Sequence, residues 1–146
     1  SSNMFSVLEK TLLLKSVNLF KNIPGDILSK IAQIAKEVEI GFDEKLFDQG
    51  EQGDSLYIII NGKISVTQNE RSITILGEGD CIGEMALLDQ EPRSAGALAI
   101  VDSILLKIDQ EGFFELMSTN PEIMKQIVMV LTQRVRDMNK KVTGSL

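Results

Sequence analysis

SLYIIINGKISV, residues 55–66, sets two short apolar runs on either side of an Asn-Gly pair. Leu56, Ile58 and Ile60 alternate with Tyr57 and Ile59, and Ile64 and Val66 resume the alternation. A period of two marks a strand, because successive side chains leave opposite faces of the pleat. Asn61-Gly62 is the dipeptide best suited to a tight type I′ hairpin, whose two central residues both need positive φ. The stretch therefore predicts two antiparallel strands.

The same period runs from Val38 to about Asp109. NERS (69–72) supplies the next turn, Ile73 and Ile75 the next strand, and Ile104, Leu106 and Ile108 a last one. Short strands at near-regular spacing, with turn signals between them, predict an antiparallel roll or barrel. On both sides the period lengthens to that of a helix. Phe5, Leu8 and Leu12 share one face over residues 4 to about 17. After a break at NIPGD (22–26), Leu28, Ile31, Ala32 and Ala35 continue a helical stripe,. EGFFELM (111–117) is a short helical segment, and Asn120-Pro121 opens a long helix reaching to about 142,.

Along that helix Met124, Val128, Leu131, Val135, Met138 and Val142 recur at alternating intervals of four and three, a heptad seam,. Ile123, Ile127 and Val130 form a second stripe beside it. One stripe suffices to pack the helix on the roll. The other is expected either to meet a second copy of the chain, giving a homodimer, or to widen the core face. The chain reads as one domain over 1–146, mostly β with flanking helices: N-terminal helices over 4–36, a roll over 37–109 and C-terminal helices over 110–143.

Composition narrows the chemistry. A chain of 146 residues can bury a real core,. Its net charge of −6 and pI near 4.7 argue against nucleic acid as a direct partner, since phosphate backbones need a basic face,. The basic end of the last helix (Arg134, Arg136, Lys140, Lys141) is read as a solvated face that suits a helix C-terminus. No apolar run approaches a membrane span, and SSNMF (1–5) lacks the basic and apolar regions of a signal peptide,. Cys81 is alone, so it is expected to pack as a small hydrophobe in a reducing, cytoplasmic setting,. With no histidine, Ser-His-Asp and Cys-His catalysis and imidazole metal sites are excluded,. No paired acids flank a cleft-like segment. The chain is not expected to be an enzyme or to carry a metal or cofactor.

One segment calls for a ligand. IGEMALLDQEPRSA (82–95) places Glu84 and Arg93 nine positions apart around a short apolar segment, too far to be neighbours on one helix,. GEGDCIG (77–83) has the spacing G-x-G-x-x-x-G, one residue too long for a dinucleotide fingerprint, and sits among strands,. Gly79 and Gly83 are instead expected to shape tight turns. EMALLD (84–89) predicts one or two helical turns whose leading N–H groups favour an anion. Arg93 can present a fork of donors to phosphate oxygens, and Glu84 can accept from a ribose hydroxyl. Alternatively the two pair with each other or with solvent.

Gly83-Glu84-Met85-Ala86-Leu87-Leu88 followed by Pro92-Arg93-Ser94-Ala95 closely resembles the phosphate-binding cassette of cyclic nucleotide-binding domains. That family includes the bacterial catabolite activator, regulatory subunits of cAMP-dependent protein kinase and cyclic nucleotide-gated channels. Gly53-Asp54-Ser55-Leu56-Tyr57, Gly62 and Gly79-Asp80 match family positions as well, so the likeness covers about residues 10–140. It implies an antiparallel β-roll, jelly-roll-like and of the double-stranded β-helix kind, that binds cAMP or cGMP. By the resemblance Glu84 accepts from the ribose 2′-hydroxyl and Arg93 neutralises the cyclic phosphate. Backbone groups around Gly83, Met85, Ala86 and Ala95 complete the cradle. Ser94 stands where the catabolite activator has serine, which favours cAMP. Ile82 departs from a common phenylalanine, and an aromatic cap for the base is not evident. Base contacts from the long helix are placed around Arg134 or Asn139.

The expectation is a regulatory module that senses a cyclic nucleotide and signals by moving its last helix. The alternative is a ligand-free domain of the same fold that docks or dimerises. No DNA-binding segment follows residue 142, so the effector is expected elsewhere.

Overall fold

The computed structural model describes residues 4–144; Ser1–Asn3 and Ser145–Leu146, the outer parts of the opening SSNMF and closing VTGSL stretches, lie outside it. Among the described residues eight strands run in chain order: β1 (Lys36–Ile40), β2 (Lys45–Phe47), β3 (Ser55–Asn61), β4 (Ile64–Gln68), β5 (Arg71–Leu76), β6 (Cys81–Ile82), β7 (Gly96–Ala99) and β8 (Ser103–Asp109). They form two antiparallel sheets, ordered β1-β8-β3-β6 and β2-β7-β4-β5. Helices α1 (Val7–Leu14) and α2 (Gly25–Ile34) precede the roll, and α3 (Gln110–Thr119) and α4 (Pro121–Thr143) follow it.

β3 explains the first stretch quoted above. Its two alternating sets enter two different cores. Leu56, Ile58 and Ile60 pack with the helices, against Phe20, Leu28, Phe113 and Ile127. Tyr57 and Ile59 face the second sheet with Phe47, Ile64, Ala97 and Leu105. A strand covered on both sides reads as a continuous apolar run, which is what residues 56–60 are.

The hairpin expectation at Asn61-Gly62 fails. β3 and β4 belong to different sheets, and of the pair only Gly62 has positive φ, at 117°. The chain crosses between sheets there, pressed against β8: a Cβ on Gly62 would lie 2.0 Å from Ser103 Oγ and 2.7 Å from Ser103 Cα. The tight two-residue hairpin is at Asn69-Glu70, whose φ angles of 51° and 65° are both positive and which joins β4 to β5. Type I′ geometry matches strand twist, so the backbone accepts it there despite the glutamate.

The first helix is shorter than expected and rotated. Ser6 and Glu9 close a capping box at its start,. Leu8 and Leu12, expected inside, are exposed, whereas Lys10, Thr11 and Leu14 are buried. A polar anchor sets the rotation. Lys10 Nζ donates to Ala35 O at 3.1 Å and lies 3.9 Å from Glu37, whose carboxylate accepts from the Met4 and Phe5 N–H groups. On α2 the expected stripe of Leu28, Ile31 and Ala32 is buried.

On α4 the second stripe, not the seam, is the core face. Ile123, Ile127 and Val130 are buried, and Leu131 packs partly against the same core. Met124, Val128, Val135, Met138 and Val142 are exposed. No described helix is long and apolar enough to cross a membrane.

Candidate functional site

Gly83 follows β6 with φ 77°, and its left-handed conformation turns the chain into a 3₁₀ turn at Glu84–Leu87. The turn is shorter than EMALLD suggested. It closes at Leu88, whose N–H donates to Met85 O at 2.9 Å. Gln110, at the start of α3, fastens it from outside: its Nε2 donates to Ala86 O at 3.1 Å and to Asp89 O at 2.6 Å. Cassette and C-terminal helices are therefore joined by side-chain hydrogen bonds.

Gly83, Met85, Ala86, Arg93, Ser94 and Ala95 border one open cavity of about 460 Å³. Phe47, Val66, Thr74 and Leu76 form its wall from the second sheet. Cys81, on β6 of the first sheet, also borders the cavity, and its thiol is pushed up to about 11, first by burial and then by the charges of Glu84 and Asp80. It is a hydrophobe here rather than a nucleophile.

Arg93 is the pivotal group. Its backbone is fixed by Arg93 N–H to Glu51 O at 2.7 Å and Gly50 N–H to Arg93 O at 2.8 Å. Only 9% of the residue is exposed. Nη2 donates to Ser55 O at 2.9 Å, while the guanidinium carbon sits 4.1 Å from the Phe47 ring centroid and 5.8 Å from that of Tyr57. Nη1 is buried without a hydrogen-bond partner. A Cβ on Gly83 would stand 2.2 Å from Nη1, so glycine there gives the guanidinium its room. Burial draws the Arg93 pKa below its ordinary value, with Tyr57, Asp54 and Glu51 pulling the other way. An arginine nonetheless stays charged in proteins. No described carboxylate lies within ion-pair distance of Arg93. A buried, positively charged, partly unsatisfied fork facing a cavity calls for an anion.

Glu84 points elsewhere. Its carboxylate accepts from Arg134 Nη2 on α4 at 2.5 Å and from the Leu19 N–H at 3.1 Å, in the 3₁₀ turn Asn18–Phe20. Arg134 also donates to Asn18 Oδ1 at 2.7 Å. Glu84 and Arg93 do not pair with each other, and Arg134, placed by sequence near the base, instead holds the cassette acid. Asn139 does not border the cavity.

Residues 37–120 match the model of the cyclic nucleotide-binding domain. The chain belongs to the cyclic nucleotide-binding domain family. It is 28% identical over 132 residues to the CRP-like cAMP-activated global transcriptional regulator of Mycobacterium tuberculosis, covering 87% of this chain and 59% of that protein. It is 34% identical over 97 residues to the Cyclic AMP receptor protein of Thermus thermophilus, covering 63% and 45%. With human cGMP-dependent protein kinase 2 the identity is 31% over 135 residues, 88% of this chain but 18% of the kinase. Among solved structures, the N-terminal domain of a transcriptional regulator from Streptomyces coelicolor superposes with a TM-score of 0.82 at 25% identity, over 88% of this chain and 95% of that one. The β-roll with flanking helices is thus the family fold. The chain is a cyclic nucleotide-binding regulatory domain, and it spans less than two thirds of these curated relatives.

Sequence reading missed Phe47, Tyr57 and Gln110. Phe47 ends a three-residue strand, too short to show a period, and Gln110 is an unremarkable polar residue at a helix start. Tyr57 was legible as a strand residue but not as a neighbour of Arg93.

Proposed function

We propose that this domain senses cAMP in preference to cGMP and signals through displacement of α4. One observation carries the reading: a buried Arg93 whose Nη1 has no partner and which no carboxylate neutralises. Arg93 would take the cyclic phosphate, with backbone groups at Gly83, Met85, Ala86 and Ala95 around it. The cavity wall contributed by Val66 and Leu76 suits the less polar edge of adenine, and Ser94 at the rim supplies a hydroxyl. Relatives named for cAMP and for cGMP both resemble the chain, so the preference rests on the wall and on Ser94.

Glu84 is the group that ties ligand to helix. Glu84 does not border the cavity, so to reach a ribose hydroxyl there its carboxylate must turn away from Arg134 and the Leu19 N–H. Ligand and α4 then compete for one carboxylate, and the unequal affinity for the two arrangements moves the helix. The exposed seam Met124, Val128, Val135, Met138 and Val142, with Leu131 at its edge, would pair with a second copy. The setting is cytoplasmic, with the output carried by another domain or protein.

Calorimetric titration of cAMP and cGMP into wild type and Arg93→Ala tests the binding reading. Wild type should bind both, cAMP more tightly. The variant should lose about 3 kcal/mol, on the order of 100-fold, as a desolvated charge-assisted contact disappears. Equal and negligible heats for both proteins would leave the docking-module alternative standing instead.

A further inference from the structure

The position of Phe47 raises a question that Arg93 alone does not answer. A buried guanidinium is commonly held by a carboxylate, yet a carboxylate would occupy the in-plane N–H groups and cancel the charge that an anionic ligand needs. Here the guanidinium carbon lies 4.1 Å from the Phe47 ring centroid, within cation–π range,. An aromatic ring engages a guanidinium through its charge and its flat face, which leaves the edge donors available. One edge is committed, Nη2 to Ser55 O at 2.9 Å; Nη1 is not.

Two further features show that the ring is itself held. Phe47 is 9% exposed and packs against Tyr57 at 6.1 Å between centroids, tilted by 36°. The residues just after Phe47 carry the Arg93 backbone, through Gly50 N–H and Glu51 O. Residues 47–51 thus grip Arg93 at both ends.

We propose that Phe47 is a positioning residue for ligand binding, holding the Arg93 guanidinium by its ring while leaving Nη1 free for a phosphate oxygen. This rests on reading the cavity as the cyclic nucleotide site, and the test keeps the two separate. In the ligand-free protein, ¹⁵N-edited spectra of the arginine side chains should show Arg93 guanidinium protons displaced by the ring current, with hindered rotation. F47Y should keep both signatures and bind cAMP within about twofold of wild type. F47L should lose both and bind about tenfold more weakly. F47M serves if the leucine variant does not fold. Unchanged Arg93 signals in F47L, or equal loss of affinity in F47Y and F47L, would overturn the proposal. A wild type that binds neither cAMP nor cGMP would remove the cyclic nucleotide reading alone, since the ligand-free spectra judge the grip of Phe47 on Arg93 by themselves.

Discussion

Glycines 62 and 83 both adopt positive φ, but they answer different needs. At Gly62 an added Cβ would meet the Cα of Ser103, and the backbone of a central strand does not yield. Gly62→Ala is expected to destabilise the fold by about 3 kcal/mol, read from denaturant unfolding, since strain and overpacking add. At Gly83 the closest obstacle is Arg93 Nη1, a side-chain atom that yields more readily than backbone but only by disturbing the hold on the guanidinium, and Ser55 O lies 3.0 Å away. Gly83→Ala should cost about 1–2 kcal/mol of stability by the same measurement, mostly from the left-handed backbone. Its larger effect should fall on ligand affinity. Gly83 was expected to shape a tight turn and does so, but the room it leaves for Arg93 was not legible in the sequence, nor was the role of Gly62. Asn61-Gly62 carried a hairpin signature and serves a crossing between sheets, because the dipeptide reports tolerance of positive φ and not which strands lie beside it.

The elements follow their periods but not always their expected faces. α1 is turned by the buried Lys10, which a hydrophobic pattern places in solvent, and the cost of burying that ammonium is met by Ala35 O and Glu37,. α4 carries two apolar stripes, and only its packing on the Asn18–Phe20 turn and α3 distinguishes them. The bond from Arg134 to Glu84 makes α4 part of the site at a distance of 50 residues in sequence. If that bond holds the ligand-free arrangement, Arg134→Ala should bind cAMP about fivefold more tightly, because a partly exposed ion pair contributes about 1 kcal/mol. Calorimetry decides it, and unchanged or weaker binding would detach α4 from the cassette acid.

At the level of the whole molecule, the fold leaves an apolar seam exposed along α4, formed by Met124, Val128, Val135, Met138 and Val142. Val128 is 55% exposed and lies in that seam. Sedimentation of Val128→Glu beside wild type should show a dimer for wild type and a monomer for the variant, with unchanged folding by circular dichroism. A monomer in both, or a dimer in both, would make the seam an ordinary solvated face.

The roll, its flanking helices and the cassette were legible in the chain alone, since alternation of period two, helical stripes and residue types at fixed spacing are local properties of sequence. Gly83, Met85, Ala86, Arg93, Ser94 and Ala95 were expected at the site from the family resemblance that this spacing carries. That they share one cavity with Phe47, that Arg93 rests on an aromatic ring without a counterion, and that Glu84 turns to Arg134 were settled only when distant strands and helices met. Burial and pairing depend on neighbours that the order of residues does not supply.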